Sequence, residues 1–446
     1  MKRALDSHLE LSHNEGHMTQ YSAANSWNVN NNGNVNNNNK RNGNRVCAVS
    51  DYQMYQLFVE NIFAAYYECR RNKRKTRSET EYEADGVRNT LQLADDVWNY
   101  RYVVSPSICF IVIRPTRREV FAADFRDRIL DTWVAMRLER IFEKYLPDCV
   151  FANRKGKGTS AAIKKAYDDI IKCTEGYTRD AWIYKFDLQG FFMSIDKRLL
   201  WSALKPVLEK EYTEWDKDWF MYVIEKRIFN HPQESCIKVC GDEEWEPLPR
   251  NKSLFGQDYW HGLPIGDLLS QMLVGFYITG FIGFLESIGL EYISNYVDDF
   301  VVIAQSKKQV IDSIPCIRKY LTGVGLTLHP HKSYLQHYTK GVQFLGAVIK
   351  PHRLYPGERI RRNVIRYKVP KKTEEGLAGI NSYLGLLRQF RLRRLRRLVA
   401  DKAFAAYHDK VYFDKDYSRM VVYERKRKPA VKRKQPHGLQ VIYQCE

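Results

Sequence analysis

The sequence predicts an α+β fold, an antiparallel sheet backed by helices. Three observations predict it: apolar runs of strand character at WIYKFD and NYVDDFVVIAQ, long stretches of helical period around them, and an irregular alternation of the two. The chain has 446 residues, enough for one large multi-lobed domain or two to three smaller ones.

Taken in order, residues 1–50 differ from everything after them. NSWNVNNNGNVNNNNKRNGNRV, Asn25 to Val46, is dominated by Asn and has no apolar period, so disorder is expected for it in isolation. From Asp51 the pattern turns globular, and VSDYQMYQLFVENIFAAYYECRRNKRK is helical in period with a basic end. ADDVWNYRYVVSPSICFIVIRPTRREVFAADF alternates as strands do, and RDRILDTWVAMRLERIFEKYL returns to a helical period. Trp182 to Phe192 reads as a strand, LLSQMLVGFYITGFIGFLESIG as one long helix, and Tyr292 to Ile303 as a second strand. IDSIPCIRKYLTGVG is a further helix and GVQFLGAVIKPHRLYP a hairpin. Beyond Tyr355 the chain is helical and strongly basic. There Leu384, Leu387, Leu395 and Leu398 can share one helix face while Arg388, Arg391, Arg394 and Arg397 occupy another. Six arginines from Arg388 to Arg397 without an acid between them favour a phosphate-tracking face over a merely solvated one. The tail ERKRKPAVKRK continues the charge and is expected to be mobile.

With 71 Lys and Arg against 52 Asp and Glu, the formal net charge is +19, which favours a polyanionic partner over a merely soluble basic protein, since phosphate neutralisation releases counterions. The nine Cys are scattered apart from Cys236 and Cys240, no secretory signal precedes them, and His231 does not complete a zinc site. No apolar run is expected to reach the roughly 18 residues of a membrane span, and a cytoplasmic location without a membrane partner follows.

The chemistry centres on NYVDDFVVIAQ. Asp298 and Asp299 stand side by side among Tyr296, Val297, Phe300, Val301, Val302 and Ile303, with no Gly or Pro to suggest a solvated turn. Like charges in an apolar strand need a cation, and Mg2+, a hard ion, takes carboxylate oxygens while keeping positions for water and phosphates. Asp187, at the end of WIYKFD, supplies a second carboxylate source if the two strands are neighbours. Two Mg2+ about 4 Å apart, with Mn2+ as the alternative ion, would then support in-line nucleotidyl transfer.

FDLQGFFMSID together with YVDD resembles the palm of a reverse transcriptase, and the resemblance runs from about Arg114 to Lys350 with its motifs in order. REVFAADFRDRIL resembles the fingers motif of bacterial retroelement reverse transcriptases, related to those of group II introns and retrons, and FANRKGKGTSAAI the segment after it. LPIGDLLSQ resembles the helix-opening motif beside the nucleotide, GLTLHPHKS the motif with a catalytic lysine, and QFLGAVI the primer grip. The resemblance implies a right-hand polymerase: fingers and palm over residues 51–355, a helical basic thumb over 356–410, a basic tail over 411–446, and no RNase H domain. It implies Asp187, Asp298 and Asp299 as metal ligands and Lys332 as the acid for the leaving pyrophosphate, with His329 and His331 as competitors. Arg114 and Arg118 are implied to hold the triphosphate, with Ile265 and Gly266 beside the nucleotide. Phe192 matches the aromatic gate against a ribose 2′-hydroxyl, so deoxynucleoside triphosphates are the implied substrates. Phe344, Leu345 and Gly346 are implied to grip the primer.

Ile265 stands where most of the family has Gln, and Ser270-Gln271 where it has Ser-Pro. With RKGKGTSAAI and LPRNKSLF, this variant resembles the reverse transcriptases of diversity-generating retroelements. These copy a template-repeat RNA with errors at adenine during mutagenic retrohoming, with a small basic accessory protein. NSWNVNNNGNVNNNNKRNGNRVCAV, Asn25 to Val49, is similar to the Asn-dense end of the lectin-like proteins such elements diversify, and residues 1–50 read as translated template or as a low-complexity linker. A retron or phage-defence reverse transcriptase, and a non-catalytic nucleic-acid scaffold of the same fold, are the alternatives.

Overall fold

The structure, a computed structural model, describes residues 27–29, 35–37, 51–71, 76–114 and 116–423. The expectations for the Asn-rich segment as a whole and for the basic tail beyond Tyr423 lie outside the described residues. Within that segment one short ladder is described, Trp27–Val29 antiparallel to Val35–Asn37, where no period was expected. The fold is α+β, and the chain divides into two compact units.

The first unit holds residues up to 158, 186–300 and 308–333. Its helices start where caps satisfy free backbone N–H groups. Asp124 accepts from the Arg126 N–H at 3.0 Å to open Phe125–Tyr145, and Asp196 accepts from the Arg198 N–H at 2.8 Å to open Lys197–Glu211. The helix Asp51–Arg70 turns Phe58, Val59, Ile62 and Phe63 onto Phe125–Tyr145. Phe58 meets Trp133 at 5.7 Å between ring centroids, and Trp98 stacks on Trp219 at 4.3 Å.

Four sequence expectations need correction in this unit. The stretch starting ADDVWN is not all strand: Ala94 to Trp98 completes the helix Gly86–Trp98, whose Thr90, Leu93, Ala94 and Val97 are buried at helical spacing. Only Ile108–Val112 and Arg118–Ala122 form strands, paired antiparallel. The strand from Trp182 ends at Asp187, because Gly190 turns the chain at φ +57° into the single helical turn Phe191–Ser194. NYVDDFVVIAQ is not one strand but two, Tyr292–Tyr296 and Asp299–Ala304, joined by a turn at Val297 and Asp298. Finally, an apolar stretch long enough to cross a membrane by length and composition does exist, Leu268–Ser287. It breaks at Ile278 into Leu268–Tyr277 and Thr279–Ser287, and 56% of it is buried inside the protein, where Phe276 stacks on Phe142 at 5.3 Å.

The second unit holds residues 159–185, 301–307 and 334 onward. Trp182 to Lys185 pairs antiparallel with Tyr334–His337. The expected hairpin carries a third strand: Val342–Phe344, Ala347–Lys350 and Arg353–Pro356 form one antiparallel sheet, packed on the helix Thr159–Cys173. Helices Glu358–Arg366, Thr373–Leu387 and Arg393–Tyr407 follow, then the strand pair Val411–Phe413 and Met420–Val422. The arginine run is therefore not one helix face, since the helix stops at Leu387 and the next starts at Arg393. Arg388 and Arg391 lie in the break and Arg394 and Arg397 on the second helix, all four exposed.

Candidate active site

Asp187 ends its strand buried, beside the start of the strand that Asp299 opens. Phe186 stacks on Phe300 at 4.9 Å and 6° between planes, and the Leu188 N–H donates to the Asp298 carbonyl at 3.0 Å. That brings the carboxyls of Asp187 and Asp298 close enough for each to act on the other. Burial, then the charge of Asp187, push Asp298 up to about 7, with Asp299 adding least. Lys332 donates its ammonium to Asp187 Oδ2, and the His329 N–H donates to the Asp187 carbonyl at 2.7 Å. Burial and the Lys332 charge hold the His329 imidazole below its ordinary value.

The turn that presents Asp298 is strained. Val297 has φ +60°, a left-handed conformation that costs a β-branched residue on the order of 1–3 kcal/mol. Asn295 offsets this: wholly buried, it donates from Nδ2 to the Val297 carbonyl at 3.0 Å. Its own backbone is held by Cys149 and Phe151, the Asn295 N–H donating to Cys149 O at 2.9 Å and the Phe151 N–H to Asn295 O at 3.2 Å.

Two carboxylates close enough to act on one another, with one ammonium on Asp187, suit a hard divalent ion that takes oxygen donors. Asp187 and Asp298 are the residues that would hold it, with Asp299 next along the chain. Among the described residues no group of three or more His, Cys, Asp or Glu side chains forms a ready metal cage. The structure thus brings together Asp187, Asp298 and Lys332, and Asp299 joins them through its charge.

Around the nucleotide motifs, Phe192 and Ile265 are half-buried against one apolar cluster of Cys109, Phe121, Met193 and Leu254. The Leu263 N–H donates to the Phe192 carbonyl and the Phe121 N–H to the Ile265 carbonyl, each at 2.9 Å. Gly266 sits at φ +108°, where a Cβ would lie 2.7 Å from Val120 Cγ1, so no side chain fits the turn. Arg118 opens its strand and Arg114 lies in the preceding turn, both exposed. Phe344, Leu345 and Gly346 belong to the second unit, with Leu345 and Gly346 forming the tight turn at φ +48° and +83°.

Sequence reasoning missed three supports. Asn295 is one. The second is a buried ion network: Arg227 grips Asp131 through Nε and Nη2 at 2.7 and 2.8 Å and reaches Asp267 at 3.4 Å. Asp267 follows Gly266 directly, so the network ties the Gly266 turn to the helices Phe125–Tyr145 and Lys217–Ile228. The third is Glu119, wholly buried on the strand that Arg118 opens. The only sequence signal for these was an acid or amide inside an apolar run.

Neighbouring strands thus present carboxylates beside one another, with a lysine on Asp187 and the aromatic Phe192 five residues beyond that aspartate. The sequence profile of the reverse transcriptase (RNA-dependent DNA polymerase) family matches residues 115–349, more than half the chain. The chain belongs to that family of RNA-directed DNA polymerases, which have the right-hand fold. Among solved structures it is similar to apo telomerase from Candida tropicalis, at 12% identity and a TM-score of 0.43, covering 68% of this chain and 57% of that one. It is also similar to telomerase from Candida albicans in complex with a fragment of telomeric RNA, at 11% identity and a TM-score of 0.41, covering 70% of this chain and 61% of that one. No curated protein matches the chain.

Proposed function

We propose that this chain extends a primer on an RNA template with deoxynucleotides, using Asp187, Asp298 and Asp299 as the metal-binding carboxylates. The observation that carries the reading is the neighbouring Asp187–Asp298 pair, joined through the Leu188 N–H to Asp298 O bond, with Lys332 on Asp187. Divalent ions, two Mg2+ or Mn2+, would supply activation of the primer 3′-hydroxyl and charge stabilisation for the departing pyrophosphate. Lys332 holds the proton for that pyrophosphate, Arg118 and Arg114 bind the triphosphate, and Phe192 excludes the ribose 2′-hydroxyl. Phe344 to Gly346 grip the primer, while Arg388, Arg391, Arg394 and Arg397 track the duplex backbone. Fingers and palm span 51–355 and the thumb 356–410. Extension of a primer on RNA with Mg2+, abolished by Asp298→Ala, tests this; extension that survives the substitution overturns it.

The finer reading is an error-prone enzyme of the diversity-generating type, working in the cytoplasm on a template-repeat RNA with a small basic accessory protein. Ile265 supports it: its side chain packs into the apolar cluster and offers no hydrogen bond to nucleotide or template, a difference on the order of 1 kcal/mol. If Ile265→Gln leaves errors at adenine unchanged in sequenced products, this residue is not their cause. Residues 1–50 are read as translated template, and an adenine-differing copy of their coding stretch in a nearby gene is the expected observation.

A further inference from the structure

The segment between Cys236 and Gly256, which includes the LPRNKSLF stretch, holds none of the carboxylates above, yet it is fastened on two sides. On one side Ile237–Lys238 adds a parallel strand to Ile108–Val112, and the Val239 N–H donates to Cys109 O at 3.1 Å. The carboxylate of Glu119 accepts from Trp245 Nε1 at 2.8 Å, Ser253 Oγ at 2.8 Å and the Leu254 N–H at 2.7 Å. A buried carboxylate with three donors is held firmly, because losing any of them strands charge away from water. Arg117 adds a bond from Nη1 to Glu244 O at 2.6 Å.

On the other side the segment lies on the turn after Asp187. The Asn251 carbonyl sits where a Cβ on Gly190 would be 2.8 Å away, so Gly190 admits it by having none. Gly190 is three residues past Asp187 and two before Phe192. Leu254 is buried against Met193 in the cluster that supports Phe192 and Ile265.

Lys252 lies between those two anchor lines, in the short 3-10 turn Arg250–Lys252, whose Lys252 N–H donates to Pro249 O at 2.8 Å. Gln257 Nε2 braces the turn by donating to Arg250 O at 3.2 Å and Ser253 O at 3.0 Å. The Lys252 side chain is exposed and makes no ion pair among the described residues. Its charge is felt at His329, beside Lys332 and Asp187.

We infer that Lys252 is a further phosphate-binding residue, contacting the triphosphate of the incoming deoxynucleotide beside the turn that follows Asp187. The inference rests on the polymerase reading of this site. A compact ammonium on a braced turn suits a phosphate oxygen as a point charge, and the bracing leaves only the side-chain part of the ordering cost to be met on binding.

Primer extension on an RNA template, with deoxynucleotide KM and kcat measured separately, tests it. Lys252→Ala is expected to raise KM about tenfold while kcat stays within about threefold, the signature of lost ground-state binding. Lys252→Arg is expected to restore KM to within about threefold of the parent, since charge rather than shape is required. KM unchanged in Lys252→Ala, with Asp298→Ala inactive, overturns the role of Lys252 alone. Extension that persists in Asp298→Ala overturns the polymerase site and this inference with it.

Discussion

Replacing Asp298 by Asn is expected to stabilise the metal-free chain while abolishing synthesis. In the folded chain the Asp298 carboxyl rises from its ordinary 3.8 to about 7, burial being the first cause and Asp187 the second. A rise of that size, at roughly 1.36 kcal/mol for each tenfold change in proton affinity, sets an upper bound of about 4 kcal/mol on the cost of ionising it in the fold. Partial exposure of the carboxyl to water reduces this to about 1–2 kcal/mol. The sign follows from the raised value: the folded chain holds this proton more tightly than the unfolded one. Stability from protonated Asp298 is therefore complete below about pH 4 and is lost as the pH rises through about 7. The amide that Asp298→Asn introduces carries no charge to repel Asp187, so the variant should unfold at higher urea than the parent at about pH 8 in EDTA, with the gap closing near pH 4. Mg2+ at the higher pH should stabilise the parent more than the variant. A variant no more stable than the parent at about pH 8, or a gap independent of pH, would refute the reasoning.

Phe192→Ala is expected to admit ribonucleotides, lowering deoxy-over-ribo selectivity in extension assays on the order of 10–100-fold, as removal of a steric wall does. Arg227→Met leaves Asp131 and Asp267 buried without their cation and should cost about 3–5 kcal/mol in urea unfolding; an unchanged midpoint would show that the network is idle. Gly266→Ala meets both a φ of +108° and the Val120 side chain, and should raise deoxynucleotide KM with a stability loss of about 1–3 kcal/mol. Asn295→Ala removes the bond to the Val297 carbonyl, and a fall in kcat at near-constant KM is its expected signature.

The long helical elements and the α+β class were legible because buried faces recur at helical or strand spacing, as in Phe58, Val59, Ile62 and Phe63. Asp187, Asp298 and Lys332 were legible through ordered motifs, and the structure brings these three together. Boundaries set by single residues were not. The break between Leu387 and Arg393 falls in a stretch whose leucines and arginines keep a helical period straight through it, so pattern alone could not divide it into separate helices. Nor could pattern reveal that Glu119 gathers three donors or that Arg227 faces two acids from other elements. The partners Trp245 and Asp131 lie 126 and 96 residues away along the chain. Such pairings are properties of the fold, not of any window of sequence.

The two adjacent aspartates illustrate why pattern misleads at a functional site. Tyr, Val, Phe and Ile around them all favour a strand, and a continuous strand would send Asp298 and Asp299 to opposite faces. The chain instead turns at Val297, against the preference of a β-branched residue, and Asp298 meets Asp187. Two costs then coincide, backbone strain at Val297 and charge repulsion at Asp298, in a segment whose neighbours are otherwise well packed. Buried Asn295, itself clamped between Cys149 and Phe151, opposes the first, and the Lys332 ammonium partly opposes the second. What stays uncompensated once Asp298 ionises is negative charge on the carboxylate pair, and oxygen donors held in that way suit a hard divalent cation.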